Sequence, residues 1–302
     1  MKQDSGLREK IQECLGKEIT QFVLKGKGAC NNAYYIETVG GGKYIVKQER
    51  EQKESEPQNN LLIEAAIAKH LHNLGLSIPI PHVVFVSEHP NIYGYEYIDG
   101  EMMIGVWDSL SKDERIGICH NLGRFHAEIG KKVGKETSQK IGIKIDESHG
   151  LHPEVLKEYH ELMKSDDVPD QFKRLVETAM GIFNETLDRP VFQFIHNDAH
   201  HENVLIKDRK ISGIIDFGNA EYGEVTKEFS RYIRDFPEYF TYIVSAYEKE
   251  SGHRLSYKHL VSNALLSGFI DIVEEYRKGG NRREKAVNMI STYQKLLTRQ
   301  GI

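Results

Sequence analysis

The sequence is poor in the features that mark secreted, disulfide-stabilised or membrane-spanning proteins. Among its 302 residues only three are cysteine, eight are proline and one is tryptophan. Cys14, Cys30 and Cys119 are odd in number and lack the spacing of metal ligands, so we expect reduced thiols in a cytoplasmic protein. No run approaches the roughly 18 apolar residues that span a bilayer, and the first ten residues contain no apolar signal core.

An excess of positive charge is also lacking. The formal net charge is −5, which argues against a nucleic-acid partner, because such partners favour a basic face. Hydrophobic residues make up 39% of the chain and charged residues 28%, a composition typical of a globular protein. The length exceeds what one core comfortably fills, so we expect two lobes, residues 1–97 and 98–302. We further expect a monomer that binds neither nucleic acid nor a membrane.

Three oxygen-bearing side chains follow one another in the spacing of a phosphoryl-transfer site. Asp198 precedes the carboxamide of Asn203 by five positions, and a second carboxylate, Asp216, follows an apolar run. Phosphoryl transfer to a hydroxyl requires a carboxylate that receives the hydroxyl proton and oxygen ligands that hold Mg²⁺ on the phosphates. Asp198 fits the first requirement, and Asn203 and Asp216 fit the second. The spacing is that of the catalytic and metal-binding loops of kinases.

Two other interpretations of this stretch are open. Histidine, aspartate and asparagine are common in ordinary turns, because their side chains bond the nearby backbone. His196, His200 and His201 could instead be zinc ligands of a hydrolase. The zinc interpretation leaves Asn203 and Asp216 without a role, and we expect His196 to be a hydrogen-bonding residue that fixes the loop.

The N-terminal third has the pattern of a small sheet with a glycine-containing turn. Five β-type runs are predicted at residues 19–25, 33–38, 43–47, 82–87 and 92–98. Between the first two lie Gly26, Gly28 and Asn31. Glycines at a hairpin tip let backbone N–H groups approach phosphate oxygens, although two glycines are also common in a plain turn.

A lysine and a glutamate on neighbouring elements could form an ion pair. Lys47 ends the third run, and Glu64 lies in the first turns of a helix predicted from apolar spacing over residues 61–74. Such a pair would hold the ammonium group against the α- and β-phosphates of a nucleotide. Alternatively, Lys47 is one exposed lysine among many, and Glu64 is a favourable acid in the first turn of a helix.

The fifth run leads into the second predicted lobe. We expect backbone groups of Glu96 and Ile98 to pair with the edge of a purine base, although an ordinary edge strand fits the same residues. From residue 111 the chain is predicted to be helical, with Ser111 and Glu114 as a capping box. Residues 131–143 are polar, and we expect a surface loop there.

The segment after residue 218 is too short for a peptide-docking segment. Helical periodicity resumes at Phe229, and the Ala-Pro-Glu signature of protein kinases is missing. The acceptor is therefore predicted to be a small molecule.

The chain resembles the aminoglycoside phosphotransferase family in Lys47, Glu64, His196-Asn197-Asp198, Asn203 and Asp216-Phe217-Gly218. The segments 61–80 and 194–218 look most like the aminoglycoside 2''-phosphotransferases. The resemblance implies an α+β, bilobal, protein-kinase-like fold, with a five-stranded antiparallel sheet and a helix in the N-lobe and a mainly helical C-lobe. It implies that Asp198 is the catalytic base and that Asn203 and Asp216 bind Mg²⁺. It also implies that Lys47, with Glu64, binds the phosphates of ATP or GTP.

The acceptor implied by the resemblance is a hydroxylated, cationic small molecule, with an aminoglycoside antibiotic first. Relatives with the same motif act on macrolides, choline, homoserine and other alcohols or sugars, and a weakly active nucleotide-binding pseudokinase is a further alternative. The chain has Asn219, Glu224 and Glu228 where the family usually continues with an Asp-Pro pattern.

Acids downstream of the motif could attract a polycation. They are Glu221, Glu224, Glu228, Asp235 and Glu238. By position, Asp235 and Glu238 match the substrate-side acids of the 2''-type enzymes, and Glu221 is added as a third candidate. A solvated helix face, partly neutralised by Arg231 and Arg234, is the competing interpretation.

Overall fold

The computed structural model describes residues 2–27, 31–50, 61–148, 150–151, 153–186 and 190–299. The chain divides into two compact units. The first comprises Met1–Leu110, Glu136–Lys144 and His201–Ala220, and the second comprises Ser111–Lys135, Ile145–His200 and Glu221–Ile302. The lobe boundary between residues 97 and 98 stays a prediction.

The described residues form an α+β arrangement, as predicted. The helices are α1 Lys2–Leu15, α2 Leu61–Asn73, α3 Met103–Val106, α4 Lys112–Lys132, α5 Lys135–Ile141, α6 Pro153–Lys164, α7 Asp170–Glu185, α8 Thr226–Asp235, α9 Phe240–Ser251, α10 Tyr257–Lys278 and α11 Gly280–Arg299, with a 3-10 turn at Trp107–Ser109. The strands are β1 Ile19–Lys27, β2 Asn31–Thr38, β3 Lys43–Glu49, β4 Val83–Ser87, β5 Ile92–Glu96, β6 Glu101–Met102, β7 Lys144–Ile145, β8 Phe192–Ile195, β9 Val204–Lys207, β10 Lys210–Ile214 and β11 Glu221–Glu224.

The first unit contains the predicted five-stranded antiparallel sheet, in the order β1-β2-β3-β5-β4. Successive strand residues point to opposite faces. On one face, Tyr44 and Val46 of β3 join a cluster with Leu7 and Ile11 of α1. On the other face, Tyr93 of β5 packs in a cluster with α2. This alternation decides which helix each strand residue can reach.

One predicted loop is wrong. Residues 131–143, expected to form a surface loop, complete α4 and then form α5. Ser138 of α5 is buried, and the turn closes with hydrogen bonds from Ile143 N–H to the Ser138 carbonyl at 2.9 Å and from Gly142 N–H to the Gln139 carbonyl at 3.1 Å. Helix α5 contains one apolar residue, Ile141, so this helix follows from the local propensity of glutamate, glutamine and lysine rather than from an apolar stripe.

The second unit is mainly helical. Its α4 begins with the predicted capping box, in which the Ser111 hydroxyl accepts from Glu114 N–H and the Glu114 carboxylate accepts from Ser111 N–H. Its core contains large aromatic side chains such as Phe125, Phe172 and Phe229, all buried. Within the part of the chain that the structure describes, no helix combines the length and the apolar character that crossing a membrane requires.

Helices α4 and α9 approach each other closely at a glycine, and this contact generates a prediction. A Cβ atom on Gly123 would lie 2.1 Å from the Ile243 carbonyl oxygen, whereas a Cβ atom on Gly117 of the same helix would meet nothing within 4 Å. We expect Gly123→Ala to reduce the free energy of unfolding by about 2–3 kcal/mol, because the two helix backbones must move apart.

Gly117→Ala is the matched control. It removes a glycine from the same helix without a clash and should stabilise the protein by about 0.5–1 kcal/mol. Chemical denaturation of both variants measures the difference. Equal effects of the two substitutions would show that α4 and α9 are not packed this closely.

Candidate active site

The hairpin β9–β10 of the first unit places two predicted metal ligands at one end. Its two-residue turn, Asp208 and Arg209, has φ values of 49° and 61°, the positive values that the primed hairpin turns use. Val204 pairs with Ile214, and a further bond from Ile215 N–H to the Asn203 carbonyl, 3.0 Å long, continues the register. Asn203 therefore lies opposite the residue that precedes Asp216.

Asp216 has an unusual backbone and a side chain open to solvent. Its φ is 67°, a region that residues other than glycine rarely adopt. Its side chain is 40% exposed. Such strain persists only when the surrounding structure enforces it, and it is concentrated at functional sites.

Lys47 is held between two carboxylates in the first unit. Its Nζ lies 2.6 Å from Glu64 Oε1 and 2.9 Å from Asp216 Oδ1. Tyr93 donates its hydroxyl hydrogen to the same Glu64 oxygen at 2.8 Å. Lys47 is 6% exposed and Glu64 is 1% exposed, so the predicted ion pair is present and buried.

Sheet alternation explains why these side chains meet. Lys47 is opposite Tyr93 in the β3–β5 pair, so both point to the face covered by α2, on which Glu64 lies. Burial alone would lower the pKa of Lys47, but the charges of Glu64 and then Asp216 outweigh it and raise that pKa above its ordinary value. The ammonium group is therefore charged throughout the physiological pH range.

A largely apolar cavity of about 260 Å³ also lies in the first unit. Its lining residues are Lys25, Gly26, Ala33, Ile45, Tyr95, Tyr97, Ile98, Gly100, Met102, Leu205 and Ile215. Strands β1 to β3 supply one wall, and the segment after β5 supplies another. An apolar cavity of this volume can accept a nucleotide base.

The predicted nucleotide-binding residues divide around this cavity. Gly26 and Ile98 line it. Glu96 is not in the lining, and its N–H already donates to the His82 carbonyl at 3.0 Å, so this N–H is not available to a base edge. Asn31 is buried at the start of β2, and Gly28 lies outside the described residues.

In the second unit, the loop after β8 is fixed by its own histidine. His196 is fully buried, and its Nδ1 accepts the N–H of Asp198 at 3.2 Å. Asn197 has φ of 60°, and His200 N–H bonds the Asp198 carbonyl at 2.8 Å. His196 thus makes the loop-fixing hydrogen bond predicted from the sequence, through its ring nitrogen Nδ1.

A buried glutamate anchors the same loop, and the sequence interpretation missed it. Glu228, in the first turn of α8, accepts the N–H of Asn197 on Oε2 at 2.9 Å. Its Oε1 lies 3.7 Å from His126 Nδ1, and His126 Nε2 lies 2.9 Å from the Tyr232 hydroxyl. Burial raises the pKa of Glu228 to about 7, although the bond from Asn197 opposes the rise. Burial lowers the pKa of His126 to about 3.

The acids assigned to a polycation do not form one exposed cluster. Glu221, Glu224 and Glu228 are all buried, and Glu221 Oε1 lies 2.9 Å from Lys227 Nζ. Glu221 therefore already has a counter-charge, and its assignment as a substrate-binding residue stays a prediction. The two glutamates of β11 are buried because that strand pairs with the buried strand β8.

Of the remaining acids, Asp235 is paired and Glu238 is exposed. Asp235 Oδ1 accepts from Arg234 Nε at 3.0 Å. Arg231, expected only to neutralise acids of its own segment in part, contacts the loop before it: a terminal guanidinium nitrogen of Arg231 lies 3.4 Å from Asp198 Oδ1. The spacing of Arg231 from Glu228 could have indicated this contact with the loop, since residues i and i+3 on a helix share a face.

Comparison with known proteins shows the family of the chain. The family model described as a phosphotransferase enzyme family matches residues 25–255, about three quarters of the chain. The chain belongs to this family. It is a kinase-like transferase. A comparison with curated protein sequences gave no match.

The phosphotransferase shares its fold with several solved structures. One is the GDP complex of wild-type aminoglycoside 2'-phosphotransferase-IIIa, with 17% identity, a TM-score of 0.71, and coverage of 92% of this chain and 93% of that one. The GDP and kanamycin complex of APH(2")-IIIa has 19% identity, a TM-score of 0.68 and 96% coverage of each chain. Macrolide 2'-phosphotransferase MphH from Brachybacterium faecium has 14% identity and a TM-score of 0.66, covering 95% of this chain and 97% of its own. At these identities the likeness shows the fold alone.

The buried ion pair of the phosphotransferase generates a stability prediction. Lys47→Met should reduce the free energy of unfolding by about 3 kcal/mol, because it leaves Glu64 buried without its counter-charge. Adding Glu64→Gln should recover part of that loss, giving a coupling energy above about 1 kcal/mol in a double-mutant cycle measured by denaturation without nucleotide.

Lys43→Met is the control: this exposed lysine of the same strand lies 3.9 Å from Glu37, and its loss should cost less than about 0.5 kcal/mol. Additive effects of Lys47→Met and Glu64→Gln would refute the coupling.

Glu228 generates a pH prediction. Its pKa of about 7 lies above the ordinary 4.5, so the folded state is stabilised at low pH, and this contribution is lost as the pH rises through 7. Glu228→Gln removes that titration while keeping an acceptor for Asn197 N–H. Relative to the wild type, the variant should therefore gain about 2 kcal/mol in unfolding free energy between pH 5 and pH 8.

Denaturant titrations at the two pH values measure this gain. The titration of His126 is common to both proteins and cancels in the difference. Glu238→Gln, at an exposed carboxyl of the same unit, is the control and should show no such pH dependence. An equal difference at both pH values would mean that Glu228 does not titrate in this range.

Proposed function

We propose that this phosphotransferase moves the γ-phosphate of ATP or GTP to a hydroxyl of a small molecule, with Mg²⁺ as the metal. The observation that carries the proposal is Lys47, a buried ammonium group held by Glu64 and facing the exposed carboxylate of Asp216. This arrangement presents fixed positive charge beside a metal-type ligand, as binding of nucleotide phosphates requires.

The residues of the first unit fit a magnesium nucleotide. Asp216 and Asn203 supply carboxylate and carboxamide oxygens, the hard ligands that Mg²⁺ prefers. When bound, the metal would neutralise charge on the β- and γ-phosphates. Lys47 would bind phosphate oxygens, and the cavity lined by Ile45, Tyr95 and Ile98 would take the base.

Asp198 is assigned the proton transfer. The acceptor hydroxyl donates its hydrogen bond to the Asp198 carboxylate, its oxygen bonds to the γ-phosphorus, and the bond from that phosphorus to the β-phosphate oxygen breaks. The proton passes to Asp198, and a nucleoside diphosphate leaves. His196 and Glu228 hold the loop that presents Asp198.

Two acceptor classes follow from different observations. Aminoglycosides are supported by the solved relatives, one of which is a kanamycin complex. For them, Asp235 and Glu238 are the proposed cation-binding acids. A small alcohol or sugar without multiple positive charges is supported by the neutralisation of Glu221 and the pairing of Asp235.

The presence of Asp198, Asn203 and Asp216 together argues against a pseudokinase. The monomeric state and the cytoplasmic location stay predictions.

The base assignment is tested by Asp198→Asn. Loss of a general base should lower the rate of nucleotide-dependent phosphorylation about 10²–10⁴-fold. Nucleotide affinity should be unchanged, because the residues assigned to the nucleotide belong to the first unit. The measurement is a panel of aminoglycosides, macrolides, alcohols and sugars, screened with ATP and with GTP for phosphorylated product.

Asp166→Asn is the matched control, an exposed aspartate of the same unit, and it should leave the rate unchanged. Undiminished transfer by Asp198→Asn would overturn the assignment of the base. Stoichiometric zinc in the active protein would support the hydrolase alternative instead.

A further inference from the structure

We propose that Arg231 recognises an anionic group on the acceptor, so that the substrate is a hydroxyl compound carrying a carboxylate or phosphate rather than a polycation. This inference rests on the proposed function, because it takes Asp198 as the group that receives the acceptor hydroxyl. It assigns to Arg231 the choice among acceptors of different charge.

The location of Arg231 fixes the charge that an acceptor meets. Its guanidinium lies 3.4 Å from Asp198 Oδ1. A hydroxyl that donates to Asp198 lies within about 3 Å of that carboxylate. The reacting hydroxyl is therefore within about 6–7 Å of the guanidinium, closer than the screening length of physiological salt. Groups next to that hydroxyl on the acceptor come under the direct influence of the positive charge.

Arg231 differs from the other cations of α8 in its bonding. Lys227 Nζ bonds Asp146 and Glu221, both at 2.9 Å, and Arg234 Nε bonds Asp235 at 3.0 Å. Within the described part of the chain, Arg231 has the 3.4 Å ion pair with Asp198 and no hydrogen bond. Its side chain is 42% exposed. Its planar N–H donors are thus available to an oxyanion, which arginine binds in a bidentate way.

Of the other groups near Asp198, the acid Asp235 lies within 4.8 Å of a ring nitrogen of His200, but it already pairs with Arg234 at 3.0 Å. His200 Nε2 itself lies 3.6 Å from the Asp198 oxygen that Arg231 contacts. Glu228 is buried and bonded to the backbone of the loop. An ammonium group placed beside the reacting hydroxyl would therefore meet Arg231, whereas a carboxylate or phosphate would pair with it.

An oxyanion at Arg231 could also come from the nucleotide, as the phosphoryl group in transfer. The two sources differ in their kinetic signature. Recognition of the acceptor changes KM and depends on the charge of the acceptor, whereas stabilisation of the transferring phosphoryl group changes kcat equally for every acceptor. The structure favours the acceptor, because Arg231 already contacts the group that the acceptor hydroxyl must reach.

Matched acceptors that differ only in charge test the proposal. One set is glycerate, glyceramide and 3-amino-1,2-propanediol, and a second is glucuronate, glucuronamide and 6-amino-6-deoxyglucose, in which the charge changes at C6 alone. For the wild type we expect kcat/KM to fall from the acid to the neutral compound to the amine, with about tenfold or more between the ends. Initial rates of phosphorylated product give kcat and KM separately.

Variants at Arg231 provide the decisive comparison. In Arg231→Gln the preference for the acid should shrink to about threefold or less, mainly through a higher KM for the acid. Arg231→Lys should restore part of the preference, because it keeps the charge but not the fork of donors. Arg124→Gln, the same chemical change at an exposed arginine of α4, should leave the preference intact.

Three kinetic results would overturn the proposal: a wild-type preference for the amines, an acid preference that survives Arg231→Gln, or an equal fall in kcat for all acceptors in that variant. Thermal denaturation in the presence of each compound, without nucleotide, covers the case in which none of them is turned over. Acids should then raise the Tm of the wild type but not of Arg231→Gln, and the absence of an acid-specific shift counts against the proposal.

The same experiment separates this inference from the proposed function. The proposed function fails if no hydroxyl compound of any charge becomes phosphorylated and if nucleotide turnover is insensitive to Asp198→Asn. The inference alone fails if phosphorylation occurs but does not depend on the charge of the acceptor or on Arg231.

Discussion

The buried ammonium group of Lys47 is the constraint on which the first unit depends. A charge at 6% exposure is tolerated only with close counter-charges, and here they come from a helix, Glu64 of α2, and from the residue after a hairpin, Asp216. Burial of Lys47 therefore requires three features at once. They are the register of β3 against β5, the packing of α2 on the sheet and the strained backbone at Asp216. A shift of one residue in β3 would turn Lys47 to the opposite face of the sheet.

A buried carboxylate has the corresponding role in the second unit. Glu228 accepts a backbone N–H from the loop that carries Asp198, and its other oxygen faces His126 in a fully buried setting. One turn further along α8, Arg231 is directed at Asp198 itself. A single short helix thus both anchors the loop that carries Asp198 and sets the charge beside this aspartate. Under the proposed function, the same helix would link the shape of the loop to the choice of acceptor.

Much of the fold was predictable from local patterns. Alternating runs located the strands of the sheet, and the Ser111 and Glu114 pattern located the start of α4. The Lys47–Glu64 pair was also predictable, from a lysine at a strand end, a glutamate in the next helix and the Asp198, Asn203 and Asp216 spacing further along the chain. What failed depended on tertiary burial: Glu221, Glu224 and Glu228 have the sequence signature of exposed acids, but strand pairing and packing bury them. Helix α5 was missed because it has no apolar stripe.

Phosphorus NMR of the purified protein tests the central claim most directly. With Mg²⁺, ATP or GTP and a mixture of hydroxyl compounds of each charge, the γ-phosphate resonance should disappear as a phosphomonoester resonance of equal intensity grows. Lys47→Met should show neither change at the same nucleotide concentration. If the wild type binds nucleotide but forms no phosphomonoester with any compound, or releases only inorganic phosphate, the account of this protein as a small-molecule phosphotransferase is contradicted.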